Sequence, residues 1–347
     1  MGGEAKLISV VVVNFNRREL LRACLLSLAA QTCTGFNVVV VDNGSSDGSA
    51  DMAEQEFNGN SRFSLEVLRN KENRGFCVAN NQGIGMGGDL IALLNNDAEA
   101  APGWLEALAS AIRMRDDIGM AASKILVKND PRRIDKVGHL IYPDGQNRGR
   151  GSGQIDRGQF EHLEEVLWPD GCAAMYRREM LDEIGGFDED LFAYGDDAEL
   201  GLRARIAGWG CVYAPAAVVL HQRGTTLGVL SSRRLELIER NRVLLAVKHF
   251  PISLLLLNPM YFGMRIAAGA WAAIRGKGEV GRFPGVEGKW RAVRAVCGGN
   301  LEALGMIPMT WRKRRQLRRL RRLTPKQIRR LLFHYRIPLA ELMEQAI

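Results

Sequence analysis

The chain has 347 residues, with 47 Lys and Arg against 39 Asp and Glu, and 46% of its residues are hydrophobic. This length can bury a substantial core in one large or two ordinary domains, and the hydrophobic content excludes an intrinsically disordered protein. The six cysteines form no CxxC pair. This pattern argues against a disulfide framework or a structural zinc site and fits a reducing cytoplasm. No early apolar run precedes a small-residue cleavage site, so we expect no signal peptide.

The net charge of +8 is unevenly distributed along the chain. Residues 1–230 carry 23 basic and 32 acidic side chains, a balance of −9, whereas residues 231–347 carry 24 basic and 7 acidic, a balance of +17. Such a split indicates two parts with different partners. We expect the acidic part to carry the chemistry and the basic part to bind something anionic.

The first hundred residues alternate β-branched runs with stretches of helical spacing. Strands are predicted at Leu7–Val13, Asn37–Val41, Leu65–Arg69 and Leu90–Leu94, with helices between them. This alternation predicts a parallel sheet covered by helices, in which ligands bind beyond the carboxyl ends of the strands. Because all four ends are polar, they predict a binding site; they carry Asn14, Asp42 to Gly44, Asn70 to Gly75, and Asn95 to Asp97.

The remainder of the chain has two patterns. Residues 100–230 predict mixed α and β structure, with the Gly- and Arg-rich stretch Asp144–Gly158 expected as a mobile loop. A helix is predicted to begin near Asp196 and to end at Gly208, and a strand follows at Cys211–Leu220. Beyond residue 231 the pattern is helical.

Two strand ends carry carboxylates with a chemical interpretation. Asp42 begins the run DNGSSDGS after a buried strand, where it can accept the N3–H of a uracil or thymine ring while Gly44 lets backbone approach the ligand. The alternative is an ordinary turn with Ser46 or Asp47 as the helix N-cap. Asp97 ends the fourth strand and can hold Mg²⁺ or Mn²⁺ through oxygen, or can merely belong to another capped turn.

Four acids lie close together at the start of the predicted helix: Asp190, Asp196, Asp197 and Glu199. Neighbouring carboxylates raise each other's pKa, which suits a general base near neutral pH. Stabilisation of the first helical turn by the helix dipole is the structural alternative. His221 ends an apolar strand, where a lone histidine is more often structural than a ligand.

In this order the motifs resemble the family 2 glycosyltransferases of the GT-A fold, and most of all a bacterial subgroup of rhamnosyltransferases and galactofuranosyltransferases. The resemblance covers about residues 6–250 and rests on Val11 to Asn16, Asp42 to Gly48, Asn73 to Phe76 with Asn80 and Gly83, Leu94 to Asp97, Gly185 to Glu189, Asp196 to Leu200, and His221. It implies an α/β, Rossmann-like domain over 1–250 with a mostly parallel sheet. Its nucleotide-binding half would be 1–100 and its acceptor and catalytic half 101–230, followed by a basic helical extension over 251–347.

The resemblance also implies roles for individual residues. Asp42 would bind the nucleobase, and the other nucleotide-binding residues would be Asn14, Asn16, Gly44, Asn73, Gly75, Asn80 and Asn96. Asp97 and His221 would ligate a divalent cation, Mg²⁺ or Mn²⁺. This chain has Asn95 and Asn96 where many members have further acids, so the cation would be held with less negative charge.

The same resemblance assigns the catalytic residues. Asp197 would be the base, and Asp196 would orient the acceptor or Asp197. Trp168, Asp170 and Gly171 are expected to shape the sugar and acceptor pocket, although core packing explains Trp168 equally well.

The implied activity is an inverting transfer of a sugar from dTDP-rhamnose or another UDP- or dTDP-hexose to a hydroxyl of a cell-envelope glycan or polyprenyl-linked saccharide. One alternative is a catalytically degenerate sugar-nucleotide-binding or scaffold protein, which Asn95 and Asn96 suggest. Another is a nucleic-acid-binding protein that uses the basic tail. The enzyme upstream and the missing aromatic interleaving argue against a nucleic-acid partner.

Two C-terminal segments favour peripheral attachment to the cytoplasmic face of a membrane. Pro251–Ile274 is apolar but is interrupted by Asn258, Pro259 and Arg265, so we expect a surface-lying or packed helix rather than a span. Arg312–Arg330 contains eleven Lys and Arg and no acid, with leucines among the charges. This basic amphipathic pattern suits an anionic membrane surface, and a solvated helix without a ligand is the alternative.

Overall fold

The structure is a computed structural model that describes residues 7–222, 231–281 and 283–344. Its chain divides into two compact units. Among the described residues, the first unit comprises 7–138, 154–205 and 209–222, and the second comprises the segments 139–153, 206–208, 231–281 and 283–344.

Strands dominate the first unit. Within the described residues, ten of them form one sheet there, and a two-stranded sheet of β8 and β9 lies in the second unit. The strands are β1 (Ile8–Asn14), β2 (Phe36–Asp42), β3 (Phe63–Arg69), β4 (Leu90–Leu94), β5 (Ala98–Ala100), β6 (Ile118–Val127), β7 (Asp130–Lys136), β8 (His139–Ile141), β9 (Asn147–Gly149), β10 (Glu164–Glu165), β11 (Ala173–Arg177) and β12 (Gly210–His221).

Helices connect the strands of the first unit and make up most of the second. Short 3₁₀ turns occur at Glu189–Leu191 and Leu317–Leu320. The helices are α1 (Arg18–Ala29), α2 (Ser49–Phe57), α3 (Gly75–Met86), α4 (Trp104–Arg113), α5 (Arg178–Ile184), α6 (Asp196–Ile206), α7 (Ser232–His249), α8 (Ile252–Ile274), α9 (Gly278–Gly281), α10 (Gly285–Gln316), α11 (Pro325–His334) and α12 (Leu339–Glu344).

The α/β prediction for the first hundred residues is confirmed. The β-branched runs of β1 and β2 are buried because helices cover them, and α1 contributes Leu21, Leu25 and Leu28 at helical spacing to the same core. Burial of each such side chain stabilises the fold by about 1.5–3 kcal/mol. The continuous hydrophobic runs of the sequence therefore correspond to the central strands.

The order of the sheet creates a binding crevice. Its main path is β10-β12-β6-β11-β4-β1-β2-β3, in which β1 runs parallel to both β2 and β4. Because the chain leaves β1 toward β2 and β3 but returns to β4 on the other side, the strand order reverses next to β1. Ligands bind at such a switch point, beyond the carboxyl ends of the strands. Asn14 and Asp42 pair in register at that edge.

Within the described residues, six further strands extend the sheet on the far side of β4: β11, β6, β12, β10, β7 and β5. β6 pairs with β12 in parallel and with β7 in antiparallel fashion, and β5 pairs with the end of β12 so that His221 lies opposite Ala98. The residue immediately before β5 is Asp97, so this pairing brings the end of β12 to the polar end of β4. The stretch Asp144–Gly158, expected as a loop, contains β9, which pairs with β8 because the intervening turn reverses the chain.

Ion pairs between buried side chains hold the second unit together. Glu239 of α7 accepts hydrogen bonds from Arg265 of α8 at 2.7 and 2.8 Å and from Arg242 at 3.0 Å. Arg265 also donates to Asp144 at 2.6 Å, and Arg242 donates to Asn300 of α10 at 2.7 Å. This charged network joins α7, α8, α10 and the segment before β9.

The apolar stretch after Pro251 forms one helix, α8, as expected. Despite Asn258, Pro259 and Arg265, α8 is long and apolar enough to be a candidate membrane span, with a mean hydropathy of 1.2 over 18 residues. Only 11% of this 18-residue window is buried inside the protein. Sufficient length and apolar composition in a single helix are weak evidence for a span, because helices of soluble proteins share them.

The basic run Arg312–Arg330 is not one amphipathic helix. It is divided among the end of α10, a 3₁₀ turn and α11, because Thr324 starts a new helix with a capping box. Arg314 donates to the carbonyls of Val247 and Phe250 at the end of α7 (2.8 and 2.7 Å). Burial, together with the nearby charge of another arginine, lowers the pKa of Arg314 to about 10. Part of this basic run therefore satisfies the last carbonyls of a helix rather than facing a partner.

Candidate active site

A buried asparagine links three strand ends of the first unit. The side-chain amide of Asn14 donates to Asp42 at 3.3 Å and to Ser45 at 3.2 Å, and its carbonyl accepts a hydrogen bond from Asn96 at 2.6 Å. Asn14 and Asp42 are both buried. The structure thus brings together predicted residues at the carboxyl ends of β1, β2 and β4.

The turn after β2 fixes the Asp42 carboxylate at the edge of the sheet. The backbone N–H of Ser45 donates to Asp42 at 3.1 Å, and the Ser45 hydroxyl accepts the N–H of Asn16 at 2.7 Å. Gly44 has a φ of 86°, and a Cβ at this position would lie 2.8 Å from the backbone of Glu72. Only glycine allows the two loops to approach so closely.

A second asparagine ties that turn to the loop before α3. Asn43 donates to Asn73 at 2.9 Å and to the carbonyl of Gly75 at 3.2 Å, while its own carbonyl accepts the N–H of Arg74 at 3.0 Å. No function was predicted for Asn43 from the sequence. Its place in the Asp-Asn-Gly run was the only signal, because its partners lie about 30 residues away in the chain.

The start of α3 lies against an aromatic residue in an unusual conformation. Phe192 has a φ of 63°, and its carbonyl accepts the N–H of Phe76 at 2.8 Å. A Cβ on Gly75 would lie 2.5 Å from the Phe192 ring. Asn80, a predicted nucleotide ligand, donates to the carbonyl of Phe76 at 2.9 Å within its own helix. Non-glycine residues with a positive φ, such as Phe192, concentrate at functional sites.

Asp97 and His221 converge at the ends of β4 and β12. The Nε2 atom of His221 lies 3.4 Å from Oδ1 of Asp97, and its Nδ1 atom lies 2.7 Å from Oδ2 of Asp135 on β7. Asp135 is completely buried. This arrangement, in which a carboxylate orients a histidine whose other nitrogen faces a second carboxylate, is typical of metal sites. An oxygen and an imidazole nitrogen suit Mn²⁺, and the oxygen alone suits Mg²⁺.

The electrostatics of this corner favour a positive charge. Burial lowers the pKa of His221, but the neighbouring Cys172, Asp135 and Asp97 outweigh it and raise that pKa well above its usual value. A buried site that stabilises an imidazolium is one in which negative potential dominates. The donor set and the potential therefore both fit a divalent cation at Asp97 and His221.

The acidic pair begins α6. Asp196 is buried, and burial together with the Asp197 and Asp170 carboxylates raises its pKa well above the usual value, although backbone hydrogen bonds oppose this shift. Asp197 is half-buried and accepts the N–H of Ala198 at 2.7 Å and that of Gly171 at 3.4 Å. The two carboxylates therefore differ in environment: Asp196 is buried and has a raised pKa, while Asp197 is the more exposed member.

The three predicted pocket residues, Trp168, Asp170 and Gly171, follow β10 and differ from one another in their surroundings. Asp170 pairs with Lys136 at 2.5 Å and accepts the N–H of Cys172 at 2.9 Å. Trp168 is completely buried, and a Cβ on Gly201 of α6 would lie 2.2 Å from its side chain. This close packing agrees with the core alternative for Trp168, whereas Gly171 lies directly beside Asp197.

Asp135 and Lys136 were missed by the sequence analysis. Both lie on β7, an antiparallel strand that no strong hydrophobic alternation marks. Their contacts with His221 and Asp170 depend on how β6, β7 and β12 pair. No local pattern in the sequence therefore predicts these contacts.

The chain is similar to known proteins in both sequence and structure. The sequence profile described as Glycosyl transferase family 2 matches residues 9–185. An N-acetylglucosaminyl-diphospho-decaprenol L-rhamnosyltransferase from Mycobacterium tuberculosis is 28% identical over 245 residues, which are 64% of this chain and 78% of the relative. A glucosyl-dolichyl phosphate glucuronosyltransferase from Haloferax volcanii is 28% identical over 195 residues, 54% of this chain and 58% of the relative.

A solved structure has the same fold. A mannosyltransferase from Pyrobaculum calidifontis, in complex with GDP-Man and Mn²⁺, superposes with a TM-score of 0.53 at 18% identity and covers 90% of this chain and 85% of its own. Together with the mostly parallel sheet and its switch point, the similarity establishes a GT-A fold with a C-terminal helical region. Since the family profile spans half of the chain, this protein belongs to glycosyl transferase family 2.

Proposed function

We propose that this glycosyltransferase is an inverting enzyme that transfers a hexose, with rhamnose from dTDP-rhamnose as the first candidate, to a hydroxyl of a lipid-linked saccharide in cell-envelope synthesis. The names of the two relatives support this class of donor and acceptor, because one transfers rhamnose and both act on polyprenyl-linked saccharides. The observation that carries the proposal is the unequal acidic pair, a buried Asp196 beside a half-buried Asp197.

In this proposal the loops after β1, β2 and β3 bind the nucleotide. Asp42 accepts the N3–H of the uracil or thymine ring. Hydrogen bonds from the Asn14 amide and the Ser45 N–H hold its carboxylate in position. The glycines allow backbone to approach the ligand. The other residues assigned to the nucleotide are Asn16, Gly44, Asn73, Gly75, Asn80 and Asn96.

We assign a divalent cation to Asp97 and His221, with Mn²⁺ favoured over Mg²⁺ because one ligand is an imidazole. When bound, such a cation offsets the charge of the leaving diphosphate. Asp135 would hold the His221 ring in the orientation and tautomer that leave Nε2 available. Mn²⁺ in the mannosyltransferase complex supports the assignment.

Asp197 is the proposed general base. It takes the proton of the acceptor hydroxyl while the hydroxyl oxygen bonds to the anomeric carbon from the face opposite the diphosphate, and the bond from that carbon to the diphosphate oxygen breaks. A single displacement of this kind inverts the anomeric configuration. Asp196, whose pKa burial raises well above its usual value, would orient the acceptor or Asp197 through a hydrogen bond. Asp170 and Gly171, with Trp168 behind them, would border the acceptor.

We further propose that residues 1–250 form the transferase domain and that residues 251–347 attach it to the cytoplasmic face of a membrane. The +17 balance after residue 230 supports attraction to anionic lipid, and the lipid-linked acceptors of the relatives support that location.

The variant Asp197→Asn tests the proposed base. It should lower turnover about 10²–10⁴-fold, because the neutral amide cannot accept the proton, while leaving donor affinity nearly unchanged. Donor affinity is measured by calorimetry with dTDP-rhamnose, UDP-galactofuranose, UDP-glucose, UDP-N-acetylglucosamine and GDP-mannose, and turnover by acceptor-dependent release of the nucleoside diphosphate. The matched control is Asp182→Asn, an exposed acid on α5.

Turnover of Asp197→Asn within twofold of the wild type would refute the assignment of the base. Donor binding without any acceptor-dependent release, across a panel of lipid-linked acceptors, would instead indicate a sugar-nucleotide-binding protein with a degenerate site.

A further inference from the structure

One face of α8 is apolar along its whole length. Leu256 is 77% exposed, Trp271 58% and Ile274 78%, and Ile252 and Met260 are exposed as well. Between Ile252 and Ile274 a single charged side chain occurs, that of Arg265. A helix of this length is about 34 Å long. The exposed side chains therefore form an extended apolar strip, unlike the single exposed leucines that are common on protein surfaces.

The polar side chains of α8 lie on its opposite face. At about 100° per residue, Arg265 and Asn258 are on the side of the helix away from Leu256 and Ile274. Arg265 pairs with Asp144 and Glu239 at 2.6–2.8 Å, and Asn258 donates to the carbonyl of Asp144 at 3.0 Å. The helix is therefore amphipathic in the structure, with one face docked through ion pairs and the other uncovered.

These ion pairs are incompatible with α8 crossing a bilayer. Glu239 belongs to α7, which also carries Arg233, Arg240 and Arg242 and is too polar to enter hydrocarbon. A spanning α8 would leave Arg265 and Glu239 unpaired, and breaking a buried pair in this way is strongly destabilising. The polar face must stay on the protein, so a membrane can contact the apolar face only at its surface and not by being crossed.

The ends and surroundings of this face match an anionic interface. The guanidinium of Arg275 lies 4.5 Å from the ring of Trp271, at the C-terminal end of the strip. Tryptophan with an adjacent cation is typical of the lipid headgroup level. A second exposed strip on α10, which includes Trp290 and Leu301, is accompanied by the exposed Arg291 and Arg294.

We propose that α8 lies in the plane of an anionic membrane and inserts its apolar face, Ile252, Leu256, Met260, Trp271 and Ile274, at the boundary between headgroups and acyl chains. Such in-plane helices bind through buried apolar area together with attraction between basic residues and anionic lipid. A second copy of the chain is the less suitable occupant. Both copies would carry the same excess of basic over acidic residues after residue 230, and these positive charges would repel each other. The proposal is independent of the sugar-transfer reaction, since binding needs no substrate.

Vesicle co-sedimentation of the full-length protein tests this proposal. Leu256→Glu and Ile274→Glu should each weaken binding to phosphatidylglycerol–phosphatidylcholine vesicles about tenfold or more, because each removes a large apolar side chain from the interface. Both positions are more than three-quarters exposed, so the variants should fold and keep the wild-type melting temperature. The control is Met114→Glu, an equally apolar, 60% exposed position of the first unit, which should bind like the wild type.

Three results would overturn the proposal. Vesicle binding of Leu256→Glu and Ile274→Glu equal to that of the control would show that the face does not contact lipid. Resistance of the wild-type protein to alkaline carbonate extraction from membranes would show that α8 spans the bilayer. Absence of vesicle binding, with a wild-type dimer that Leu256→Glu converts to a monomer in sedimentation velocity, would show that a second copy covers the face.

Discussion

Replacing Asp135 with asparagine tests whether this buried carboxylate prepares His221 for a cation. Oδ2 of Asp135 lies 2.7 Å from Nδ1 of His221, and Asp135 is completely buried. A neutral imidazole that donates Nδ1–H to this carboxylate has its lone pair on Nε2, on the side of Asp97. Asparagine has nearly the same shape but no charge, and its amide N–H₂ can donate to Nδ1 and so favour the tautomer that lacks a lone pair on Nε2.

The expected loss follows from the position of Asp135 behind the proposed ligand. Removal of a carboxylate that orients a metal-binding histidine typically weakens metal affinity about 10–100-fold, which corresponds to about 1.4–2.7 kcal/mol. Burial places the Asp135→Asn effect in this range rather than near zero, because no water can replace the carboxylate. We expect the affinity for nucleoside diphosphate without a cation to remain close to that of the wild type.

The measurement is a Mn²⁺ titration followed by electron paramagnetic resonance, with and without a nucleoside diphosphate. Asp130→Asn on the same strand is the matched control, because Asp130 forms ion pairs with the exposed Arg132 and the half-buried Arg133 and should not change Mn²⁺ affinity. His221→Ala sets the scale for loss of a ligand. Mn²⁺ affinity of Asp135→Asn within twofold of the wild type, alongside a large loss for His221→Ala, would refute the orienting role.

Two further predictions concern the acidic pair and the loop before α3. Because the pKa of Asp196 is raised in the folded protein, the folded protein keeps this proton to higher pH than the unfolded chain does. The contribution of Asp196 to stability therefore falls as pH rises above about 4, the usual pKa of an aspartate. Asp196→Asn should therefore raise the melting temperature more at pH 7.5 than at pH 4.5, and an equal change at both would contradict the shift. Gly75→Ala should destabilise the fold by about 1–3 kcal/mol and weaken donor binding, because a Cβ there meets Phe192 at a φ of 83°. Urea unfolding and calorimetry measure these effects, with Gly103→Ala, which has open space around it, as the control.

The sequence by itself determined the α/β class and the position of the polar sheet edge to which we assign nucleotide binding. Continuous β-branched runs such as those of β1 and β2 can be buried only between two layers of helix, and the carboxyl ends of parallel strands share one edge. The polar ends at Asn14 and Asp42 were therefore predicted to meet, and they pair in register. The acidic pair was also visible, because adjacent acids at a helix start form a local pattern.

The tertiary structure alone decided which side chains surround these groups. Asp135 reaches His221 across 86 residues because β7 and β12 flank β6, and strand pairing of this kind depends on packing that no local pattern encodes. The two members of the acidic pair are alike in sequence, and only the fold buries Asp196, which raises its pKa, while it leaves Asp197 half-buried. The interruptions of α8 looked like defects in an apolar run. In the structure, Arg265 pairs with Asp144 and Glu239, which are remote in the sequence. These ion pairs determine which face of α8 is exposed.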